Sequence, residues 1–189
     1  EDSANVSIVE GDILKVDPGA LLAEHSNHKA TRYKVVANLP YYITSPVIRH
    51  FLTSEARPDL MVVMVQEEVA RSMTARPGDM SLLSVSVQLL ASASVVRRVP
   101  ARAFYPPPKV DSMVVRLETI QEPPVPLHDV GAFIEFVAAG FRSPRKHVKN
   151  SLANGLDAAR DYVESLLSHA GIEATRRPET LTVDEWVAL

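Results

Sequence analysis

The feature that most constrains the fold is a strand–turn–helix unit early in the chain. The apolar run K-V-V-A at residues 34–37 is followed by N-L-P-Y at residues 38–41. A helical pattern then runs over 44–54, with Thr44 or Ser45 as its expected cap. The unit predicts an open α/β sheet with N-L-P-Y at the carboxyl end of a strand, where such sheets bind their ligands.

The N-L-P-Y turn (residues 38–41) carries groups that suit the amino group of an adenine. Asn38 offers a carbonyl acceptor, Pro40 fixes the backbone so that a main-chain carbonyl can point the same way, and Tyr41 offers a flat face. Two acceptors favour a localised lone pair on an amino nitrogen, which can then attack an electrophilic methyl group. Asn and Pro are also common in ordinary turns, so these four residues alone leave both interpretations open.

The remaining pattern predicts further strands and helices up to about residue 120. Strands are expected at residues 6–9, 34–37, 60–65, 95–99 and 113–117. Helices are expected at residues 18–26, 44–54, 67–74 and 81–90. This alternation indicates a mostly parallel sheet, with the continuous apolar run at 60–65 covered on both faces. Only a proline-rich segment joins the last two strands, so we expect these two to pair antiparallel.

A break in composition divides the chain in two. The sequence Q-E-P-P-V-P at residues 121–126 is typical of a stiff linker, and apolar residues recur at helical spacing beyond it. We therefore expect an α/β portion over 1–120, a linker over 121–126 and a small helical domain over 127–189.

Composition excludes several classes of function. The chain has no cysteine, so it has no disulfide, thiolate metal site or cysteine nucleophile. Its six histidines show neither metal-ligand nor catalytic-triad spacing, and we assign no metal. No apolar run approaches the length of a membrane span, and the net charge of −3 means that any contact with nucleic acid depends on local patches.

Four motifs together resemble the ribosomal RNA adenine dimethyltransferases, with the bacterial KsgA type the most similar. They are N-L-P-Y-Y-I-T-S-P at 38–46, Q-E-E-V-A at 66–70, A-F-Y-P-P-P-K-V-D-S at 103–112 and F-R-S-P-R-K-H-V-K-N-S-L at 141–152. The resemblance implies a Rossmann-like class I methyltransferase domain followed by a helical domain. It also implies S-adenosylmethionine as methyl donor and dimethylation of N6 of two adjacent adenines near the 3′ end of small-subunit RNA. The implied setting is ribosome biogenesis in the cytoplasm, by a protein that is monomeric when intact.

The resemblance also implies roles for individual residues. The expected catalytic residues are Asn38, Leu39, Pro40, Tyr41 and Phe104. Asp12 and the backbone at Ile13 are expected to contact the cofactor's adenine ring, and Asn38 to face both cofactor and target amine. Each has a plainer alternative: Asp12 can cap a turn, and Phe104 can be ordinary core.

Contact with RNA is expected from two basic stretches. The first comprises Arg97, Arg98, Arg102 and Lys109, with no acidic residue between them. The second comprises Arg142, Arg145, Lys146 and Lys149. Both can position an RNA through its phosphates, and the alternative is a solvated surface.

The chain differs from the ribosomal RNA adenine dimethyltransferases in lacking one part of their sequence. The family's amino-terminal third, with its glycine-rich cofactor loop, has no counterpart, and no G-x-G-x-x-G pattern is present. We therefore expect these 189 residues to be unable to methylate RNA alone. We also expect an exposed edge at the strand over 6–9, with local disorder or pairing to another copy. Alternative functions are an Erm-type methyltransferase of large-subunit RNA, or a non-catalytic RNA-binding factor in ribosome assembly.

Overall fold

The computed structural model describes residues 6–25 and 32–189, which form a four-stranded sheet with helices. The strands are β1 (Lys34–Asn38), β2 (Leu60–Gln66), β3 (Ala91–Val99) and β4 (Ser112–Thr119), in the order β1-β2-β4-β3. The pair β1–β2 is parallel, and β4 pairs antiparallel with both β2 and β3. The expected antiparallel pairing of the last two strands is confirmed.

The expectation of a mostly parallel sheet is wrong for the described residues, because only one of the three pairs is parallel. The pairings imply that β1, β2 and β3 run in one direction. However, β4 returns between β2 and β3 and so makes both of its own pairings antiparallel. The helical patterns correctly indicated that β1, β2 and β3 run in the same direction, but they did not indicate that β4 would insert between β2 and β3.

The strand expected over residues 6–9 is also absent. This segment has no strand structure, and Ile8 is 95% exposed. A strand needs a neighbour for its backbone hydrogen bonds, and no described strand pairs with this segment. The edge strands of the described sheet are instead β1 and β3, and in β1, which pairs with β2, Val36 is 82% exposed.

Eight α-helices occur in the described residues. They are α1 (Pro18–His25), α2 (Thr44–Thr53), α3 (Glu67–Met73), α4 (Leu82–Gln88), α5 (Val130–Phe141), α6 (Val148–Leu156), α7 (Arg160–His169) and α8 (Val183–Ala188). The four helices predicted before residue 120 are confirmed, although Ser26 lies outside the described residues. Ser81 caps α4 by accepting from the Ser84 N–H, whereas neither Thr44 nor Ser45 caps α2. No described helix has the length and hydropathy needed to cross a membrane.

Two apolar clusters form the interior. The first combines the sheet with α2, and in β2 it buries Met61, Val63 and Val65 completely. The other face of β2 is only partly covered, so the expected cover on both faces is incomplete. The second cluster joins α4 to the helices beyond residue 130 and surrounds Trp186. Because α5 contributes Ile134 to the first cluster and Val137 to the second, packing continues past the predicted linker.

Candidate active site

The polar segments of interest meet where β1, β2 and β3 have their carboxyl ends, an end of the sheet that we call the sheet edge. Gln66, the last residue of β2, pairs with Ser112, the first residue of β4. Ser112 also pairs with Val99, the last residue of β3. Since β1 runs parallel to β2, the N-L-P-Y turn leaves the sheet at the same edge. The edge therefore gathers this turn, the start of α3 and the segment over 100–111 that carries Phe104.

Hydrogen bonds distinguish the two main-chain carbonyls of the N-L-P-Y turn. The Pro40 carbonyl accepts from the Ile43 N–H at 3.1 Å and from the Thr44 hydroxyl at 3.3 Å. Within the described part of the chain, no backbone N–H donates to the Leu39 carbonyl. Asn38 is exposed at the end of β1, while the Leu39 side chain is buried in the first cluster. The Asn38 amide and the Leu39 carbonyl are therefore the acceptors that remain for a ligand.

Tyr41 links this turn to the next strand. Its hydroxyl shares a hydrogen bond with the Ser112 hydroxyl at 2.9 Å, and Ser112 is fully buried. Tyr42 is 85% exposed, and we find no hydrogen bond from its hydroxyl within the described residues. Two adjacent tyrosines thus differ sharply in how firmly their rings are held.

The segment over 100–111 closes on itself at its base. The Ala101 N–H donates to the Asp111 carboxylate at 2.8 Å. Phe104 is half-buried, and Tyr105 beside it is fully exposed. The fold brings this segment to the same edge as Tyr41, but no stacking between the rings of Phe104 and Tyr41 is found.

A charged network lies under this segment. Arg98 pairs with Asp111 at 2.6 Å and with Glu67 at 3.3 Å, and Glu67 also pairs with Arg71 at 2.6 Å. The hydrogen bond from Arg71 and then the charge of Arg98 hold the pKa of Glu67 below its usual range, against some desolvation. These residues line a cavity of about 570 Å³ that also includes Lys109.

The acidic residues of this network, Glu67 and Asp111, lie outside residues 97–109, the basic stretch that contains no acidic residue. Arg98 is therefore engaged by carboxylates of this chain. In the described residues, no carboxylate lies within ion-pair distance of Arg97, Arg102 or Lys109, all of which are exposed. Glu67, Asp111 and Ser112 received no role from the sequence, although the motifs Q-E-E-V-A and K-V-D-S contain them.

Asp12, the expected cofactor contact, stabilises a local turn. Its carboxylate accepts from the Leu14 N–H at 3.1 Å and lies 3.7 Å from the Lys15 ammonium, while Ile13 packs against the first cluster. Asp12 is exposed, so the turn leaves its carboxylate accessible to a donor such as an adenine amino group. The chemistry of Asp12 and Asn38 thus fits part of an S-adenosylmethionine site, although no hydrogen bond joins the two residues.

The second basic stretch begins in the connection between α5 and α6. Arg142, Arg145 and Lys146 are exposed there, and none has an ion-pair partner in the described residues. Lys149 is partly buried in α6 and pairs with Glu164 of α7 at 2.9 Å. As in the first stretch, one of the four basic residues is already engaged within the protein.

Comparison with known proteins assigns the family. The whole chain, residues 1–189, matches the family described as ribosomal RNA adenine dimethylase. The chain belongs to this family. Ribosomal RNA small subunit methyltransferase A of Dehalococcoides mccartyi (strain 195) is 47% identical over 185 residues, which are 98% of this chain and 62% of that protein. The protein of the same name from Pelotomaculum thermopropionicum is 42% identical over 196 residues, covering all of this chain and 66% of that protein.

Two solved structures share the fold of this chain. The 23S ribosomal RNA methyltransferase ErmE superposes with a TM-score of 0.67 at 26% identity, over 95% of this chain and 68% of that chain. A dimethyladenosine transferase from Plasmodium falciparum shares the fold, with a TM-score of 0.68 at 23% identity over 82% of this chain and 64% of that chain. The fold is therefore that of a Rossmann-like class I methyltransferase. The chain spans about 62% of the length of the Dehalococcoides relative.

Proposed function

We propose that this chain serves S-adenosylmethionine-dependent dimethylation of N6 of two adjacent adenines near the 3′ end of small-subunit ribosomal RNA. The reaction belongs to ribosome biogenesis in the cytoplasm. The observation that carries the proposal is the sheet edge, where an exposed Asn38 and the Leu39 carbonyl lie on the same turn as the ring of Tyr41. The relatives named small subunit methyltransferase A favour the small subunit as substrate.

The groups at this edge suit a reaction at an aromatic amine. In the first methyl transfer, the Asn38 amide oxygen and the Leu39 carbonyl accept the two amino hydrogens, which favours a pyramidal nitrogen with an available lone pair. The ring of Tyr41 supports one face of the adenine, and Phe104 contributes a second aromatic surface. S-adenosylmethionine supplies the methyl group as an electrophile, with Asp12, Ile13 and Asn38 as this chain's contacts to it.

RNA binding is proposed for the exposed basic residues. In the two basic stretches, the exposed residues without a carboxylate partner among the described residues are Arg97, Arg102, Lys109, Arg142, Arg145 and Lys146. Their charge contributes affinity and position through phosphates, while an accessible unpaired adenine contributes selectivity. Arg98 and Lys149 contribute less, because a phosphate must compete with the carboxylates that already hold them.

The superposition with ErmE supports a second candidate, methylation of an adenine in large-subunit RNA. The N-L-P-Y turn serves the same chemistry at either target. The position of the modified nucleoside in the RNA therefore distinguishes the two candidates.

The proposal is tested with labelled S-adenosylmethionine and undermethylated ribosomal subunits. One reaction contains the 189-residue chain, and another contains this chain joined to an amino-terminal segment of a relative that carries the glycine-rich loop. RNA is digested to nucleosides and the label is mapped. We expect dimethyladenosine near the 3′ end of the small-subunit RNA, formed by the joined chain.

The matched variants are Asn38→Ala and Asn154→Ala. Both remove an exposed side-chain amide, but Asn154 lies on α6, away from the sheet edge. We expect Asn38→Ala to lower kcat by about 10²–10³-fold, since it removes one acceptor from the reacting amine, and Asn154→Ala to retain activity. Full activity of Asn38→Ala would overturn the catalytic assignment. RNA binding without methylation by either wild-type chain would favour the assembly-factor function.

A further inference from the structure

Two consecutive residues, Asp111 and Ser112, join the two segments that carry the proposed site. Ser112 contacts the N-L-P-Y turn through Tyr41, and Asp111 closes the segment that carries Phe104. Neither residue has a role in the mechanism proposed above, on which this inference rests.

The position of Ser112 is set by the sheet. It begins β4, pairs across to Gln66 on one side and Val99 on the other, and is fully buried. A buried hydroxyl requires a hydrogen-bond partner, and the partner of this one is the Tyr41 hydroxyl. Ser112 is thus an immobile attachment point inside the sheet rather than a flexible surface group.

Tyr41 is held at both ends of its side chain. Its backbone belongs to the tight turn in which the Ile43 N–H donates to the Pro40 carbonyl, and its hydroxyl is held by Ser112. An aromatic ring fixed at two points presents one face in one orientation, which is what stacking on a base requires. Tyr42 has the same chemistry without the second attachment.

Asp111 fastens the neighbouring segment with three separate bonds. Its carboxylate accepts from the Ala101 N–H and pairs with Arg98, and its carbonyl accepts from the Glu67 N–H at 2.9 Å. These bonds connect the end of β3, the base of the segment over 100–111 and the start of α3. The carboxylate and the carbonyl of Asp111 thus both have protein partners, which restrict movement at the base of that segment.

We infer that Ser112 is a positioning residue for methyl transfer, which fixes the ring of Tyr41 while Asp111 fixes the segment carrying Phe104. Because Asp111 directly precedes Ser112, the first residue of β4, the two anchors set the placement of both aromatic residues relative to each other. Removing the Ser112 hydroxyl frees the Tyr41 ring without removing any group that touches the substrate or the cofactor.

Kinetics of five variants, four single and one double, test this role in whichever chain methylates RNA. We expect Ser112→Ala and Tyr41→Phe each to lower kcat by about 3- to 10-fold, with the KM for S-adenosylmethionine unchanged. The double variant is expected to be no slower than either single one, because both remove the same hydrogen bond. Ser112→Thr keeps a hydroxyl and restores kcat, and Tyr42→Phe serves as the matched control that leaves kcat unchanged.

A second measurement does not depend on activity. The 189-residue chain contains five tyrosines, whose ring carbons are labelled with ¹³C and assigned with Tyr→Phe variants. We expect the Tyr41 ring resonances to move toward those of free tyrosine in Ser112→Ala, and to stay in place in Ser112→Thr.

The outcomes separate this inference from the proposed function. If wild-type chains do not methylate RNA, the proposed function fails, while unchanged Tyr41 resonances in Ser112→Ala would overturn the positioning role by themselves. An unchanged kcat in Ser112→Ala would also overturn it. Additive losses in the double variant, or a fall in melting temperature without loss of kcat, would assign Ser112 a purely structural role.

Discussion

The sheet edge and the cluster around Trp186 hold their residues in different ways. At the edge, Tyr41, Ser112 and Asp111 are held by hydroxyl and carboxylate contacts beside a partly exposed ion-pair network. Around Trp186, which is 1% exposed, the contacts are apolar and aromatic, with Phe136 and Phe141 against the indole ring. One region places polar groups where a ligand can reach them, and the other buries a large aromatic surface.

The difference separates what stabilises the fold from what shapes the site. A buried aromatic side chain contributes several kcal/mol through burial and packing, whereas exposed ion pairs contribute little to unfolding free energy. We therefore expect substitutions near Trp186 to act on stability and substitutions at the sheet edge to act on turnover. Three measurements test this contrast.

The largest effect is expected for Trp186→Ala. Removing a fully buried indole leaves a cavity in the second cluster, which should lower the unfolding free energy by about 3–5 kcal/mol. Denaturant unfolding followed by circular dichroism measures the change, since Trp186 is the only tryptophan.

Trp186→Phe is the matched control for that variant. It keeps most of the packing and removes an indole N–H that is buried without a hydrogen-bond partner in the described residues. If Trp186→Phe lowered the unfolding free energy as much as Trp186→Ala, the packing explanation would be contradicted.

An intermediate effect is expected for Gly155→Ala. A Cβ at residue 155 would lie 2.3 Å from the Ala139 carbonyl oxygen, so α5 and α6 could no longer approach so closely. Overpacking of this kind should cost about 1–3 kcal/mol, measured by urea unfolding with Trp186 fluorescence.

Gly131→Ala provides the comparison for Gly155→Ala. Gly131 also lies in a helix, but nothing lies within 4 Å of an added Cβ there. The substitution should be neutral or stabilising by up to about 1 kcal/mol, because alanine favours the helix. Equal destabilisation at both positions would show that the close approach of α5 and α6 is not the cause.

The smallest effect is expected for Glu67→Gln at the sheet edge. Its exposed partners Arg71 and Arg98 should make the fall in melting temperature no more than about 3 °C at neutral pH. Arg71 lowers the pKa of Glu67, so the pair stabilises above the ordinary glutamate pKa and is lost as pH falls through the lowered value. The difference in melting temperature from wild type should therefore be present at neutral pH and narrow as the pH falls below the ordinary glutamate pKa.

Glu68→Gln is the control for this measurement. Glu68 is an exposed neighbour with no ion-pair partner in the described residues, and its substitution should leave the melting temperature unchanged. A larger fall in melting temperature for Glu67→Gln than for Gly155→Ala would contradict the proposed contrast between the two regions.

Local pattern predicted much of this fold, because periodicity and turn residues act within a few positions of one another. The strand before Asn38, the helix after Tyr41 and the antiparallel final strands all followed from such signals. The strand expected over 6–9 failed for the same reason, since apolar residues give a strand tendency but cannot provide a neighbour.

The candidate site divides in a similar way. The sequence indicated Asn38, Tyr41 and Phe104 because their chemistry suits an adenine, and those assignments remain predictions. It did not indicate that Arg98 pairs with Glu67 and Asp111, because Glu67 is 31 residues away along the chain. The sequence also indicated no role for Ser112, because its hydrogen bond to Tyr41 forms only when the fold places the start of β4 beside the N-L-P-Y turn.

The sequence by itself determined the strand–turn–helix unit, the family and the residue types at the proposed site, since these depend on local order and motif. Only the tertiary structure decided that β4 inserts between β2 and β3, and this insertion brings Ser112 to within 2.9 Å of Tyr41. The physical reason is that strand order and side-chain pairing depend on which surfaces can be buried together, a property of the whole chain rather than of any short segment.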